Sequence, residues 1–189
     1  MPPKSKIKRE NVLAAAVALV RQSGDVALNA RAIANALHCS TQPIFSNFGS
    51  MEEVRRAVIA EAMRLYAELD REVLASEKYP VYKAHGMAYI GFAEKEPALF
   101  RLLYMRSRTG EQSSPEAPLF GQMANIVQQN TGLDASAAEI FHMEMWAVVH
   151  GIAAMIATDY FKPDRSLTEA MLTDAYLGLK HRFESKEDR

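Results

Sequence analysis

The side chains best placed for chemistry lie together in residues 29–48, which read NARAIANALHCSTQPIFSNF. Ile44 and Phe48 are four residues apart, so on a helix they point inward together. That leaves Thr41, Gln42, Phe45 and Ser46 facing out, which puts hydroxyls, a carboxamide and an aromatic ring on one short helix. Groups of this kind read base edges in the major groove of a DNA duplex. The competing reading is an ordinary corner between two helices, which is common in all-α proteins.

Catalytic constellations are sparse. Glu139-Ile140-Phe141-His142 sets a carboxylate and an imidazole one turn apart, but di-metal sites in helical bundles use such pairs twice and the chain has one. There is no cysteine pair and no His-Glu-x-x-His, so no zinc site is expected; His142 and His150 read as core or pocket histidines. A Gly-rich phosphate loop and a nucleophile elbow are both missing. The expectation is therefore no cofactor and no enzyme. A helical-bundle metal enzyme and a helical interaction module that does not bind DNA are the alternatives. The one cysteine, Cys39, excludes an internal disulfide framework and fits a reducing, cytoplasmic setting.

The outward groups need a scaffold, and the flanking sequence supplies one. Ala30, Ile33, Ala34 and Leu37 recur at the spacing of one helix face, with Asn29 in the N-cap position. His38-Cys39-Ser40 breaks the pattern. Ser40 is expected to cap the next helix, with Pro43 in its first turn, where a missing N–H removes no bond. Upstream, a helix is predicted over 6–22, with Val12, Leu13, Ala16, Leu19 and Val20 as its stripe and Gly24 as its stop. Downstream, Ser50-Met51-Glu52-Glu53 is a capping box for a long helix reaching residue 75, with Val54, Val58, Leu65 and Leu69 inward.

Further helices are predicted over 82–95, from Pro97, over 119–130, from an Asp134 cap to 159, and from the capping box Ser166-Leu167-Thr168-Glu169 to about residue 183. Residues 1–5 should be disordered, and 106–118 has the composition of a mobile loop. The predicted helix over 134–159 is apolar nearly all round, so it must be covered on several sides. Ala147, Gly151 and Ala154 are small enough for a second copy to approach it closely. No strand pattern and no internal repeat are present. The fold class is thus all-α: an N-terminal three-helix DNA-binding domain, 1–50, and a C-terminal helical ligand-binding and dimerisation domain, 51–189.

Composition agrees with a globular chain: 189 residues, 49% hydrophobic. The net charge of −1 is unevenly spread. Up to Arg56, eight cations face four anions, a balance of +4 that leaves −5 for the rest. A basic first part suggests a polyanionic partner for that part alone. The start mimics a signal peptide, but Glu10 and Asn11 interrupt the junction and the apolar run leads directly into the cap and turn. No run of 18 apolar residues exists, so no membrane span is expected.

Three stretches, VLAAAVALVRQSG, NARAIANAL and CSTQPIFSNFGSMEEV, together resemble the TetR family of one-component transcription regulators over residues 12–58. Trp146, His150 and Gly151, in WAVVHGIA, resemble a Trp-His-Gly signature of one group of its C-terminal domains. The resemblance implies a homodimer that binds double-stranded DNA as a palindromic operator and is released from it by a small-molecule effector. Carried onto matching positions, it places Asn29 and Arg31 at phosphate and Thr41, Gln42 and Ser46 on the reading face. Phe45 stands where Tyr is usual and loses a phenolic contact. Asn47 replaces a usual His or Tyr but keeps a polar group, and His38 replaces a usual turn glycine. Met51 replaces a usual Lys, with Arg55 able to substitute only by reaching. Lys6, Lys8 and Arg9 supply charge from the N-terminal end.

Two further residue sets follow for the C-terminal half. Tyr89, Phe92, Phe100, Tyr104, Met123, Met143, Trp146 and His150 read either as plain core or as a mostly apolar effector pocket with polar handles. The dimer contact is expected on the last two predicted helices, through Ala147, Gly151, Ala154, Leu172, Tyr176 and Leu179.

Overall fold

The computed structural model describes residues 7–106 and 117–187. Lys6, the segment 1–5 expected to be disordered and most of the expected loop over 106–118 therefore lie outside the described residues. Among the described residues there are α-helices and one 3-10 turn, and no strand, as the all-α reading requires. The helices are α1 (Arg9–Ser23), α2 (Ala30–Ala36), α3 (Gln42–Asn47), α4 (Met51–Ala75), α5 (Val81–Lys95), α6 (Pro97–Tyr104), α7 (Ala117–Thr131), α8 (Ala135–Ala157) and α9 (Arg165–Glu187). The 3-10 turn, Asp25–Ala27, was not legible in the sequence pattern.

The chain forms two compact units that divide inside α4. The first holds Met1–Ala67 and Glu96–Arg106, the second Glu68–Lys95 and Ser107–Arg189. The first compact unit thus extends past residue 50 and takes in α6.

In the first unit α1, α2 and α3 pack on one another and α6 packs on α1. Val12, Ala16 and Val20 are fully buried, one turn apart along α1. Gly24, at φ 76, ends that helix, and its N–H bonds to the Val20 carbonyl at 2.8 Å. Arg21 makes a bidentate pair with Glu96 at 2.8 and 2.6 Å, tying α1 to the start of α6. Asn29 caps α2 by accepting the Ala32 N–H at 3.0 Å. The turn that follows closes with Cys39 N–H on the Ala34 carbonyl and His38 N–H on the Asn35 carbonyl. His38 sits there at φ 52, in the place a glycine usually takes.

The expected Ser40 cap is corrected. Thr41 occupies the N-cap of α3 and no side chain caps the helix. Pro43 lies in the first turn and has no N–H to offer, and the Ile44 and Phe45 N–H groups bond to the Thr41 carbonyl instead. The Ser50 half of the capping box before α4 forms as read, with Ser50 Oγ accepting the Glu53 N–H at 3.2 Å, while Glu53 reaches one residue further back, to the Gly49 N–H at 2.8 Å. On α4, Tyr66 is buried where Leu65 was expected, and Leu65 is half-buried.

In the second unit α8 is central, packed by α5, α7 and α9. Val127, Leu133, Ala138, Phe141, Met145 and Phe183 form the core, with Tyr176 and Leu179 packed against it. At Gly86 α5 lies against its neighbours, where a Cβ would be in ordinary contact with Val149 at 3.4 Å and Leu172 at 3.6 Å. Asp134 caps α8 as expected. The cap of α9 is corrected: Asp164 accepts the Leu167 N–H at 2.8 Å, and Ser166 lies inside the helix. Glu169, expected in that capping box, bonds the Tyr79 hydroxyl, Lys78 and Arg165 instead.

By length and composition alone, α8 is long and apolar enough to cross a membrane, at a mean hydropathy of 1.5. Its few polar residues, among them Glu139, His142, Glu144 and His150, break a strictly apolar run without lowering the mean enough. In the fold it is the packed central helix of the second unit.

Candidate nucleic-acid interface and effector site

The reading helix α3 is anchored as the spacing predicts. Ile44 is fully buried and Phe48 nearly so. On the other side Gln42 and Ser46 are exposed, Phe45 is 46% exposed and Thr41 is half-buried. The Gln42 carboxamide makes no hydrogen bond among the described residues, so its donor and acceptor are both available to a partner. Ser46 Oγ donates to the Gln42 carbonyl at 2.9 Å, which leaves its lone pairs outward. The outward face of α3 carries no charge.

The flanking residues divide into free and committed groups. Lys8 and Arg31 are exposed, and neither side chain has a partner among the described residues. Three expected contact residues are engaged inside the unit. Asn29 uses its oxygen on Ala32 and donates to the Ala27 carbonyl at 3.1 Å. Asn47 Nδ2 donates to the Ile7 carbonyl at 3.1 Å and the Pro43 carbonyl at 2.8 Å. Arg9 lies over the Phe48 ring at 3.7 Å, and its Nη1 donates to the Asn47 carbonyl at 2.5 Å and to Glu53 at 3.0 Å. Arg55 is likewise held by Asp25 at 3.2 Å, against the 3-10 turn. Nothing in the spacing of the sequence pairs residue 9 with 47 and 53; the pairing comes from packing α1 across the end of α3.

In the C-terminal half the eight expected effector residues are distributed over both compact units. Phe100 and Tyr104 belong to the first unit, with ring centroids 5.0 Å apart, because α6 packs on α1. In the second unit Tyr89, Phe92 and Met123 are buried and His150 is half-buried. Tyr89 Oη and His150 Nδ1 are 3.0 Å apart, and Trp146 stacks on the His150 ring at 4.9 Å and 16°. Trp146 is nevertheless 40% exposed, and Met143 is 51% exposed. A periodicity that marks a face as apolar does not say whether the face is covered.

Both α8 histidines are held neutral. Burial lowers the His142 pKa to about 4 and lowers that of His150 as well. His142 Nδ1 lies 2.9 Å from the Tyr82 hydroxyl, whose own pKa burial raises, and Phe120 packs at 4.4 Å. Glu139 is exposed while His142 is buried, so the two are no ligand pair.

The expected dimer residues also split. Ala147 is exposed, and Gly151 and Ala154 are half-buried, on the α8 face that leaves Ile140 and Met143 outward. On α9, Leu172 is buried, and Tyr176 packs edge-on to Phe141 at 5.3 Å. Leu172 thus serves the chain's own core, while Tyr176 and Leu179 are half-buried against it. On α9 the exposed apolar residues include Leu167, at 44%, and Leu177, at 56%, the latter beside Gly178.

Comparison with known proteins agrees with this architecture. Residues 82–175 match the family described as tetracyclin repressor-like, C-terminal domain. An uncharacterized HTH-type transcriptional regulator of Mycobacterium tuberculosis is 23% identical over 178 residues, 93% of this chain and 81% of that protein. Among solved structures, a protein of unknown function from Rhodococcus sp. RHA1 superposes with a TM-score of 0.70 at 21% identity, over 95% of this chain and 96% of its own. A TetR family member from Streptomyces coelicolor A3 gives 0.59 at 16% identity, over 88% and 96%. A multidrug binding protein, EbrR, solved with imidazole, gives 0.57 at 16% identity, over 90% and 96%. These likenesses show the shared helical fold, and the sequence matches add the regulator lineage. With its helix-turn-helix in the first unit and its matched C-terminal segment in the second, the chain is a TetR-like transcriptional regulator rather than an enzyme.

Proposed function

We propose that the chain is a cytoplasmic, homodimeric repressor, released from a roughly palindromic operator by a small apolar or aromatic effector. The observation that carries the DNA reading is the outward face of α3: Thr41, Gln42, Phe45 and Ser46, held out by buried Ile44 and Phe48. A carboxamide with no internal partner on a short anchored helix suits base-edge recognition. Lys8 and Arg31 hold phosphate, and Lys6 adds charge outside the described residues. Dimerisation is supported by the exposed apolar face of α8, where Ile140 and Met143 flank small residues at 147, 151 and 154.

The effector reading rests on Tyr89, Phe92, Met123 and His150 of the second unit, a buried apolar set with one tyrosine–histidine hydrogen bond as its polar handle. An aromatic ligand is the class that stacking of Trp146 on His150 favours. The test is selection of bound duplexes from a random DNA pool. An inverted repeat supports the proposal, and recovery of no preferred sequence overturns it. Trp146 is the only tryptophan, so its fluorescence follows effector titration without labelling. Effector and operator must weaken each other by the same factor, on the order of 1–3 kcal/mol.

A further inference from the structure

The basic residue at the start of α1 is engaged within the first unit while its side chain stays 48% exposed. Arg9 stacks on Phe48, the inward anchor of α3, at 3.7 Å. Its Nη1 donates to the Asn47 carbonyl at the C-terminal end of α3 and to Glu53 in the first turn of α4. Glu53 in turn accepts the Gly49 N–H, at the loop between α3 and α4. Asn47 completes the set by donating to the Ile7 carbonyl, just before α1, and to the Pro43 carbonyl within α3. One guanidinium thus joins three pieces of chain: the start of α1, the end of α3 and the start of α4.

Two physical points follow. A helix of six residues, Gln42–Asn47, with no side-chain cap cannot hold its own direction. Ile44 is its one buried side chain, so the tilt of its outward face also depends on what grips its C-terminal end. A planar fork that stacks on a ring while donating to a carbonyl and a carboxylate grips that end in more than one direction, and an ammonium has no such plane.

We propose that Arg9 is a positioning residue that sets the tilt of the reading helix, and so the choice of operator sequence, while other cations hold phosphate. This rests on the DNA-binding reading above and assigns a means of specificity to that site.

The test compares wild-type, Arg9→Lys, Arg9→Met, Glu53→Gln and Lys8→Ala full-length chains on the selected operator and on a scrambled duplex, by anisotropy across a salt series. A wild-type chain that prefers neither duplex overturns the DNA-binding reading itself, and this proposal with it. With preference established, Arg9→Lys is the decisive variant. It keeps the charge, so a phosphate contact would be rescued and operator preference kept; the proposal requires operator preference to fall roughly tenfold. Arg9→Met should lower preference while leaving the salt slope as in wild type. A phosphate contact would instead cut the slope by about 1 and weaken both duplexes equally, which is the behaviour expected of Lys8→Ala. Glu53→Gln should also lower operator preference, since the clamp loses its charged acceptor. Unchanged preference in Arg9→Lys and in Glu53→Gln overturns the proposal. Should Arg9→Met fail to fold, the lysine and glutamine variants still decide the matter.

Discussion

At the scale of single residues, hydrogen-bond capacity separates reading from support. Gln42 has both ends of its carboxamide open, whereas Asn47 spends its donor on two backbone carbonyls. Gln42→Ala should therefore relax preference at one operator position, costing roughly 1–3 kcal/mol there if the contact is bidentate, and leave unfolding unchanged. Asn47→Ala should instead lower stability by about 1–2 kcal/mol, measured by urea denaturation, because two partly buried carbonyls lose their donor. His142 makes a pH prediction. Its folded pKa is about 4 against an ordinary 6.5, so between those values the unfolded chain takes up a proton that the folded chain refuses. Stability must then fall as pH drops from about 6.5 towards 4, and the term vanishes above that window. Glu169, held at about 2 by the Tyr79 hydroxyl, Lys78 and Arg165, contributes only in the lower window, from its ordinary 4.5 downward. The slope of stability against pH from 6.5 to 5 should be smaller in His142→Phe than in wild type. Equal slopes would show that His142 titrates normally.

At the scale of elements, the caps show how far local sequence carries. Asn29 and Asp134 each bond the N–H three residues on, as their positions predict. At α9 two candidates compete, and the structure chooses Asp164 over Ser166. An aspartate there is an equally good cap and adds a negative charge at the positive end of the helix. Asp164→Ala should cost about 0.5–2 kcal/mol and speed amide exchange in the first turn of α9, whereas Ser166→Ala should change neither. The reverse result would restore the capping box read from Ser166 to Glu169. The α3 case differs in kind, since Pro43 removes one of the N–H groups that a cap would satisfy. That helix depends on its neighbours for its direction.

At the scale of the molecule, the open question is how two copies meet. A Cβ built on Gly151 meets nothing within 4 Å, and the same holds at Gly178. Gly151→Arg should therefore leave the fold of one subunit intact, with the same helical content by circular dichroism. It should give monomers by light scattering and lose tight operator binding, because one reader cannot hold both half-sites. A variant that stays dimeric would remove this face of α8 from the interface. Leu172 and Tyr176 would make poor tests of the same idea. Both pack inside the second unit, and their truncation would damage the core first.

Sequence alone determined most of the elements. The ends of α4, the glycine stop of α1, the Asn29 and Asp134 caps, and the inward pair Ile44 and Phe48 all depend on neighbours within about one turn, so the signal is local and was legible. The outward set Thr41, Gln42, Phe45 and Ser46 was legible for the same reason, being what is left when the inward pair is known. Tertiary structure decided the rest. Arg9 and Asn47 were expected to face DNA because type and position suit it, but their partners lie some 40 residues away along the chain. Trp146 and Met143 sit on an apolar helix, yet only packing showed that this side is open. Phe100 and Tyr104 follow α6 into the first unit because α6 packs on α1, where Arg21 pairs with Glu96, 75 positions on. Helical period gives the direction of a side chain from its own axis, and what lies in that direction is settled by chain segments far away in sequence.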